Sequence, residues 1–184
     1  MSYVVAPIVE GHGDVAAVRV LIARLAPQLR VARPVRMPRQ RLVLPEHLSR
    51  AAQIARANIL DRGALLLMLD ADEDCAASLG PKLQATLMKS VSGCLCRVVL
   101  PVREFEAWIV GGTAGFSVDN PDSAGNPKRR IREACNGVYS ETADQARLTA
   151  TADLVRLHAV SRSFRKFEKV IAELSDDANS RTEM

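Results

Sequence analysis

Four acidic residues stand in two short clusters whose spacing could hold a metal ion. Glu10 and Asp14 flank a glycine-containing turn, and Asp70 and Asp72 form an Asp-Ala-Asp run. Carboxylates that are brought close together raise one another's pKa values and resist ionisation. A hard divalent ion with oxygen ligands removes that cost. If the fold brings the two clusters together, the residue types predict a site for Mg²⁺ or Mn²⁺.

The segments that precede the two clusters must position them. Residues 3–9 and 64–69 are short and apolar, which is typical of buried strands. Residues 64–69 have no polar interruption, as in a central parallel strand that is covered on both faces. Ligands of such sheets bind beyond the carboxyl ends of the strands. We therefore expect all four carboxylates at one edge of a parallel sheet, close together if the two strands are neighbours.

The rest of the chain alternates extended and helical patterns, which predicts βαβ units. Two further strands are expected near residues 35–37 and 96–102, and a polar loop near 113–127. Helices are expected at residues 14–26, 45–62, 79–91, 104–110, 128–136, 142–159 and 162–174. The predicted fold class is α/β, with a mostly parallel four-stranded sheet flanked by helices and a helical C-terminal part over residues 128–174.

Length and composition fit one domain in the cytoplasm. The chain has 184 residues, 48% of them hydrophobic, and no apolar run near the roughly 20 residues that span a bilayer. We expect a single domain over residues 1–174 and a flexible tail over 175–184. The N-terminus lacks the features of a signal peptide, and the four cysteines form no CxxC pair of a typical zinc site. We therefore expect a cytoplasmic protein with reduced cysteines and no membrane association.

Basic residues are gathered in three stretches, although the net charge is only +4. Such stretches suit a phosphate backbone because neutralised phosphates release counterions, but a solvated surface explains each of them equally well. One Trp, two Tyr and four Phe are too few to favour a base-stacking platform. The residues predicted to contact nucleic acid are Arg36, Arg39, Arg41, Lys128, Arg162 and Arg165.

Several known motifs fit the acidic clusters poorly. The turn Gly11–Gly13 is not followed by the Lys-Ser/Thr of a P-loop and lacks the third glycine of a dinucleotide fingerprint. Phosphatases with an aspartyl nucleophile usually carry their DxD after the first strand, and a receiver domain needs an acidic pair there. A glycosyltransferase DxD is left open, although the chain is short for one.

A glutamate in a glycine turn after the first strand, followed by a DxD after a later strand, resembles the Toprim pattern. The turn Val9-Glu10-Gly11 with Asp14 is similar to that of Toprim nucleases of the OLD (overcoming lysogenization defect) type. Residues 98–108 (VVLPVREFEAW) and 161–167 (SRSFRKF) resemble signatures of a bacterial Toprim-like family of unknown function. The position of Asp14 is commonly Glu in such turns, so the reach of this ligand differs here.

This resemblance spans about residues 4–171 and implies a Mg²⁺- or Mn²⁺-dependent nuclease that cleaves DNA or RNA. It also implies a separately encoded ATPase as partner in phage defence, because the ATPase domain fused to OLD-type nucleases is absent from this sequence. Two other interpretations stay open: a metal-binding, nucleic-acid-binding or regulatory subunit that does not cut, and another DxD enzyme that acts on nucleotides. Homo-oligomerisation is also left open.

The roles of individual residues follow from the two clusters and the resemblance. Glu10 is assigned to metal ligation or to acid/base work on the phosphate, and Asp14 either to a second metal or to a helix N-cap. Glu104 and Glu106 lie at the end of the fourth strand, where one of the two is expected to complete the metal site, and we assign this role to Glu104. Lys166 would stabilise charge on the phosphate, although a basic helix face explains it equally well. The predicted metal ligands are Glu10, Asp14, Asp70, Asp72 and Glu104, and the predicted catalytic residues are Glu10, Asp70, Asp72 and Lys166.

Overall fold

A five-stranded parallel sheet carries helices on both of its faces in the computed structural model, which describes residues 3–116, 118–123 and 125–180. The strands are β1 (Val4–Val9), β2 (Arg30–Val31), β3 (Val35–Arg36), β4 (Gly63–Met68) and β5 (Leu95–Val99). Their order is β2–β1–β4–β5, with β3 also paired to β1, and all of these pairings are parallel. The predicted α/β class with a mostly parallel sheet is confirmed.

The two edges of the sheet differ in kind. At one edge, β2 and β3 lie in succession beside β1, because Val4 pairs with Arg30 and Ile8 pairs with Val35. Pro34, which has no N–H to donate, stands between them. The sequence pattern predicted β3 but missed the two-residue strand β2. At the other edge lies β5, which pairs with β4 alone among the described strands.

Helices fill the connections between strands and form the C-terminal third. They are α1 (Asp14–Leu25), α2 (Arg39–Leu42), α3 (Pro45–Arg56), α4 (Ala76–Ser90), α5 (Glu106–Gly112), α6 (Pro127–Ala134), α7 (Glu141–Thr151), α8 (Leu154–Val160) and α9 (Arg162–Ser180). Alternate strand residues contribute their side chains to two apolar layers, one on each face of the sheet. Val5 and Leu66 face α1, α5 and α9, whereas Ile8 and Leu67 face α3 and α4. Because both layers cover β4, all six of its residues are buried.

Several helix boundaries differ from the predicted ones, and α3, which was expected over residues 45–62, already ends at Arg56. The helix expected over 142–159 is two helices, because the Asp153 carboxylate accepts the Arg156 N–H at 2.9 Å and thereby caps α8. Helix α4 begins at Ala76, three residues earlier than predicted. Helix α9 continues to Ser180, so residues 175–180 of the predicted tail are helical, and residues 181–184 lie outside the described residues.

The two segments that carried the family resemblance pack against each other. The Trp108 ring lies 5.4 Å from the rings of Phe105, Phe164 and Phe167, measured between centroids. The Trp108 Nε1–H also donates to Ser163 Oγ at 2.8 Å. These contacts fix the start of α5 against α9, and with it the position of the acidic residues at the end of β5.

Two further observations concern the cysteines and the character of the helices. All four cysteines are free, as expected for reduced thiols. Among the helices of the described chain, none combines the length and the apolar character that a bilayer span requires.

Candidate functional site

The acidic ends of β1 and β4 lie side by side. These strands are neighbours in register, with Val9 opposite Met68, so Glu10 and Asp70 follow at the same edge of the sheet. The Glu10 carboxyl is within hydrogen-bond reach of Asp70, and it also interacts electrostatically with Asp14 and Asp72. The structure therefore brings together the four acidic residues that the sequence placed in two clusters.

Asp14 is held by the turn that precedes it and by a distant helix. It is the first residue of α1, and the N-cap position belongs to Gly13, which makes no side-chain cap bond; the predicted N-cap role of Asp14 is therefore wrong. Its carboxylate instead accepts the Gly11 N–H at 2.9 Å and Gln145 Nε2–H at 2.7 Å. A Cβ on Gly13 would lie 1.7 Å from Gln145 Oε1, so only glycine lets α7 approach this closely.

Asp72 lies at the rim of the site in an ion pair. Its Oδ2 is 2.6 Å from Arg39 Nε, and Arg39 also pairs with Asp74. The backbone N–H of Asp72 donates to the Arg103 carbonyl at 2.9 Å. Both Asp72 and Arg103 have a left-handed backbone, with φ of 50° and 62°. Such residues cost about 1–3 kcal/mol and persist only where the surrounding structure holds them, which is common beside functional sites.

A cavity of about 760 Å³ opens between these groups, and its lining includes Glu10, Gly11, Arg39, Asp72 and Asp74. Two of these side chains are incomplete in their hydrogen bonding. Glu10 Oε2 and Arg39 Nη1 are both buried without a hydrogen-bond partner in the described structure. A buried polar group that lacks a partner costs about 1–3 kcal/mol. Two residues in the lining of the cavity, Glu10 and Arg39, thus each carry a buried atom that lacks a hydrogen-bond partner.

Glu106, and not the predicted Glu104, is the acidic residue at the end of β5 that faces Asp70. Glu106 is 2% exposed, and its carboxylate accepts the Tyr139 hydroxyl at 2.9 Å. Its charge is among the causes that raise the pKa of Asp70. Glu104 lies nearer the surface and accepts the backbone N–H of Lys128 at 3.1 Å. The two side chains point differently because residues i and i+2 do not share a helix face.

Burial and mutual repulsion raise the pKa values of several acidic residues in the cluster, so their ionisation is incomplete. Burial, with the charges of Asp14 and Asp72, raises the pKa of Glu10 to about 7. Burial, followed by the charges of Glu10 and Asp14, raises the pKa of Asp70 well above its usual range. Burial alone is the main cause that raises the pKa of Glu106 to about 7. The cluster therefore carries more acidic groups than its surroundings can keep charged at neutral pH.

Lys128 supplies a cation from within the fold. Its Nζ lies 3.0 Å from Glu141 Oε1, 3.4 Å from Glu104 Oε2 and 4.0 Å from Glu106 Oε2. Burial opposes the charge of Lys128, but Glu106, Glu141 and Glu104 outweigh it and raise the pKa of the ammonium. Its predicted role was a contact with nucleic acid. The structure places it among carboxylates, where it balances their charge.

The other predicted basic residues fall into two groups. Arg36, Arg39 and Arg41 lie on β3 and α2 beside the Glu10 turn, and Arg36 Nη1 is 3.5 Å from the Glu10 carbonyl oxygen. Arg162, Arg165 and Lys166 lie at the start of α9, where they line a different cavity between α4 and α9. Lys166 is absent from the lining of the cavity that contains Glu10, so the predicted catalytic contact gains no support from its position.

Sequence reasoning missed two groups that complete the cluster and assigned the role of Glu106 to Glu104. The apolar neighbours of Glu106, which are Phe105, Ala107 and Trp108 in a short helix that is buried throughout, favour Glu106 as the inward-facing acid. Tyr139 and Gln145 lie in polar stretches of the sequence, and no pattern marks them as contacts of Glu106 and Asp14.

The donor set fits a hard cation, although the side chains do not form a closed cage. No group of three or more His, Cys, Asp or Glu residues in the described ranges is arranged to hold a metal ion as it stands. Mg²⁺ binds through one or two carboxylates together with water and substrate phosphates, so a closed cage is not required for it. The all-oxygen donor set and the unsatisfied Glu10 Oε2 are the features that suit such an ion.

No protein-family model matches this chain, and no curated protein or solved structure matches it either. The resemblance to Toprim nucleases therefore stays a prediction.

Proposed function

We propose that this protein is a Mg²⁺- or Mn²⁺-dependent nuclease whose site is the Glu10 cavity. The observation that carries the proposal is the pair of incomplete groups at that cavity, an unsatisfied carboxylate oxygen on Glu10 and an unsatisfied guanidinium nitrogen on Arg39. A divalent cation needs oxygen ligands and would bind the unsatisfied Glu10 oxygen. A phosphodiester bound with it would accept a hydrogen bond from the unsatisfied Arg39 nitrogen.

The acidic half of the cavity supports the metal part of the proposal. Glu10 and Asp72, which line the cavity, would hold the ion together with Asp70, which lies beside Glu10 but outside the lining. The pKa values of Glu10 and Asp70 are raised first by burial and then by charge repulsion among the carboxylates, and a divalent cation would relieve the repulsion. A bound Mg²⁺ would supply Lewis-acid activation of a phosphoryl oxygen and of a water nucleophile.

The basic half of the cavity supports the choice of a phosphate substrate. Arg39 presents a planar group of donors, which suits the oxygens of a phosphodiester. It is kept in place by Asp72 and Asp74, so its orientation is fixed before a substrate arrives, and preorganised donors of this kind stabilise charge that develops in a transition state. Arg36 and Arg41 extend the positive surface beside it, where they would contact flanking phosphates.

The test is metal-dependent cleavage of nucleic acid by the purified full chain. Supercoiled plasmid, single-stranded DNA and single-stranded RNA would be incubated with Mg²⁺, Mn²⁺ or EDTA. We expect cleavage in the presence of metal and none with EDTA. Asp70→Asn and Glu10→Gln should each lower the rate at least about 10²-fold, which is the scale of losing a group that stabilises the transition state. Arg39→Lys should lower it less, because a point charge remains.

A matched control comes from the same acidic run. Glu73 is an exposed acid beside Asp72, it pairs with Arg103, and it is absent from the lining of the Glu10 cavity. Glu73→Gln should cut at the rate of the natural chain. If none of the substrates is cut with either metal, or if Asp70→Asn cuts as fast as Glu73→Gln, the nuclease proposal is wrong.

One observation favours a second candidate, a binding or regulatory subunit that does not cut. Lys128 already places a cation among Glu104, Glu106 and Glu141, so the fold balances part of its own acidic charge. Such a protein would bind Mn²⁺ or nucleic acid in a calorimetric titration without cleaving any substrate. Metal binding without cleavage would therefore favour this candidate over the nuclease.

The separately encoded ATPase and the role in phage defence stay predictions from the resemblance, and homo-oligomerisation stays open. The ATPase partner is tested by repeating the cleavage assay with the product of the adjacent gene and ATP. We expect the rate or substrate range to change when the partner is an ATPase and ATP is hydrolysed.

A further inference from the structure

A second cavity runs along the outer edge of β5 and has a volume of about 1120 Å³. We call it the β5 groove and define it by three sides. Val98, Leu100 and Val102 form its floor, α4 forms one wall, and the loop before α8 together with the start of α9 forms the other. The groove shares no lining residue with the Glu10 cavity, from which the first turn of α4 separates it.

The floor of the groove offers backbone hydrogen-bonding groups at strand spacing. The carbonyls of Val99 and Pro101 accept the N–H groups of Leu69 and Ala71, so these residues face β4. Alternate residues of a parallel strand direct their backbone groups to opposite sides. Those of Val98 and Leu100 therefore face the groove. No strand of the described chain pairs with them there, and an edge of this kind is a template for another extended chain.

The walls leave room for such a chain. The part of α4 that lines the groove carries small residues, among them Ala76, Ala77, Gly80 and Ala85. A Cβ on Gly80 would come no nearer to Leu100 than 3.8 Å, so the helix does not press on the floor there. Met88, at the far end of the same wall, is 62% exposed. Its side chain adds exposed apolar area to the wall of the groove.

The groove has spare positive charge on its α9 side. Arg162 and Lys166 line it and form no salt bridge within residues 3–116, 118–123 and 125–180. Arg165 donates to the His158 and Ala159 carbonyls, so its charge has no carboxylate opposite it. Of the two acids in the lining, Asp122 is bound to Ser161 and Ser163, and Asp119 alone is left to oppose the cations.

We propose that the β5 groove binds an extended acidic segment of a partner protein, which adds to the sheet as a further strand beside β5. Strand addition uses the backbone groups of the floor for affinity and the walls for side-chain selection. The three cations select carboxylate side chains. This inference is independent of the proposed nuclease function, since it uses none of the residues of the Glu10 cavity.

Other occupants fit the groove less well. A single nucleic-acid strand is normally held by stacking its bases on aromatic side chains, and the lining of the β5 groove contains none. A second copy of this chain would have to insert its own β5 edge, which is recessed between α4 and α9 in the same way. A small molecule would leave the row of strand-spaced backbone groups unused.

The test begins with selection of random octapeptides, displayed on phage, against the folded full chain. We expect the enriched peptides to alternate Asp or Glu with β-branched residues. A synthetic copy of the most enriched peptide would then be titrated by fluorescence anisotropy. Arg162→Glu combined with Lys166→Glu should weaken binding at least about tenfold. Lys169→Glu, on the same helix but outside the groove lining, should bind like the natural chain.

Strand addition itself has a residue-specific signature. When the peptide binds, hydrogen exchange at the Val98 and Leu100 amides should slow, whereas exchange at Val99, which faces β4, should change little. Two versions of the peptide would be N-methylated at alternate residues, one at odd and one at even positions. The version whose methyl groups replace the N–H groups that face β5 should lose binding, and the other version should keep it. Each of three results would overturn the proposal: enriched peptides without acidic residues, equal binding by the charge-reversed and natural chains, or competition by an oligothymidine of similar length. Self-association that buries β5 would overturn it as well.

Discussion

Two partly buried carboxylates in this protein, those of Asp122 and Glu10, differ in how completely the fold satisfies them. Asp122 accepts hydrogen bonds from Ser161 Oγ, Ser163 Oγ and the Ser163 backbone N–H, at 2.8, 2.9 and 3.0 Å. Glu10 is left with a buried oxygen that has no donor, and burial, followed by its acidic neighbours, raises its pKa. A carboxylate that the fold completes has a structural explanation. One that the fold leaves incomplete supports the proposed ligand site.

The surroundings of the two carboxylates sharpen this contrast. Ser163 also accepts the Trp108 Nε1–H, so Asp122 belongs to a network that ties α9 to the aromatic core. Glu10 borders a cavity and has Asp14, Asp70 and Asp72 as neighbours. We therefore expect substitutions in the Asp122 network to lower the free energy of unfolding, and substitutions in the Glu10 cluster to affect ligand binding instead.

The largest expected effect is in the aromatic core. Trp108→Ala should lower the free energy of unfolding by about 3–5 kcal/mol, because it empties a buried site that contacts Phe105, Phe164 and Phe167. Urea denaturation followed by circular dichroism measures the change. A loss below about 1 kcal/mol would show that this cluster does not stabilise the fold as its burial indicates.

A smaller loss is expected at Asp122 itself. Asp122→Asn replaces one of the two acceptor oxygens by an NH₂ group, so the Ser163 N–H and the hydroxyls of Ser161 and Ser163 can no longer all donate to this side chain. The free energy of unfolding should fall by about 1–3 kcal/mol, the cost of leaving a buried donor without its partner. Asp119→Asn, a nearby exposed acid, is the matched control and should change stability by less than about 0.5 kcal/mol. Equal stability of the two variants would contradict the structural role of Asp122.

The opposite sign is expected in the Glu10 cluster. Asp70→Asn removes a carboxyl group whose ionisation is opposed by burial and by the charges of Glu10, Asp14 and Glu106, and its amide can donate to the Glu10 carboxylate. In EDTA, the free energy of unfolding should rise by about 0.5–2 kcal/mol, as is common when a functional site is neutralised. Thermal denaturation in EDTA measures this. A clear loss of stability would mean that Asp70 is held by favourable interactions, as Asp122 is.

Stability should also depend on pH through the same cluster. Glu10 and Glu106 have pKa values raised to about 7 in the folded chain, against an ordinary value of 4.5. The folded state therefore binds more protons than the unfolded state between these values. The contribution of these two groups to the free energy of unfolding is greatest below about pH 4.5 and is lost as the pH rises through about 7. Each group contributes a slope of at most about 1.4 kcal/mol per pH unit.

Glu106→Gln isolates one part of this dependence. The variant should flatten the fall in stability between pH 5 and pH 7 relative to the natural chain, in urea denaturation performed with EDTA. Parallel curves for the two proteins would show that Glu106 does not retain a proton in the folded state.

The sequence predicted the elements that depend on local patterns. Strands β1 and β4 and the helix at Asp14 lie close to where apolar runs and spacing placed them, because burial on one or both faces leaves a regular signature. The meeting of Glu10 and Asp70 followed from the same reasoning, since both come directly after neighbouring parallel strands.

The parts that the sequence did not predict depend on contacts between distant segments. Gln145 reaches Asp14 across 131 positions, and Tyr139 reaches Glu106 across 33. Lys128 lies in a basic stretch that predicts a solvated or phosphate-binding surface, but α6 turns its ammonium toward three carboxylates. No periodicity within a segment encodes which other segment will cover it.

The most direct test of the central claim, that Glu10 is incomplete because a metal ion belongs beside it, is a crystal of the protein soaked in Mn²⁺ and measured at the manganese absorption edge. The account predicts an anomalous peak about 2.0–2.5 Å from a Glu10 carboxylate oxygen, with Asp70 or Asp72 as a second ligand. It also predicts that the peak disappears in Glu10→Gln. A Glu10 carboxylate without a manganese peak, in crystals soaked to saturation, would contradict the account.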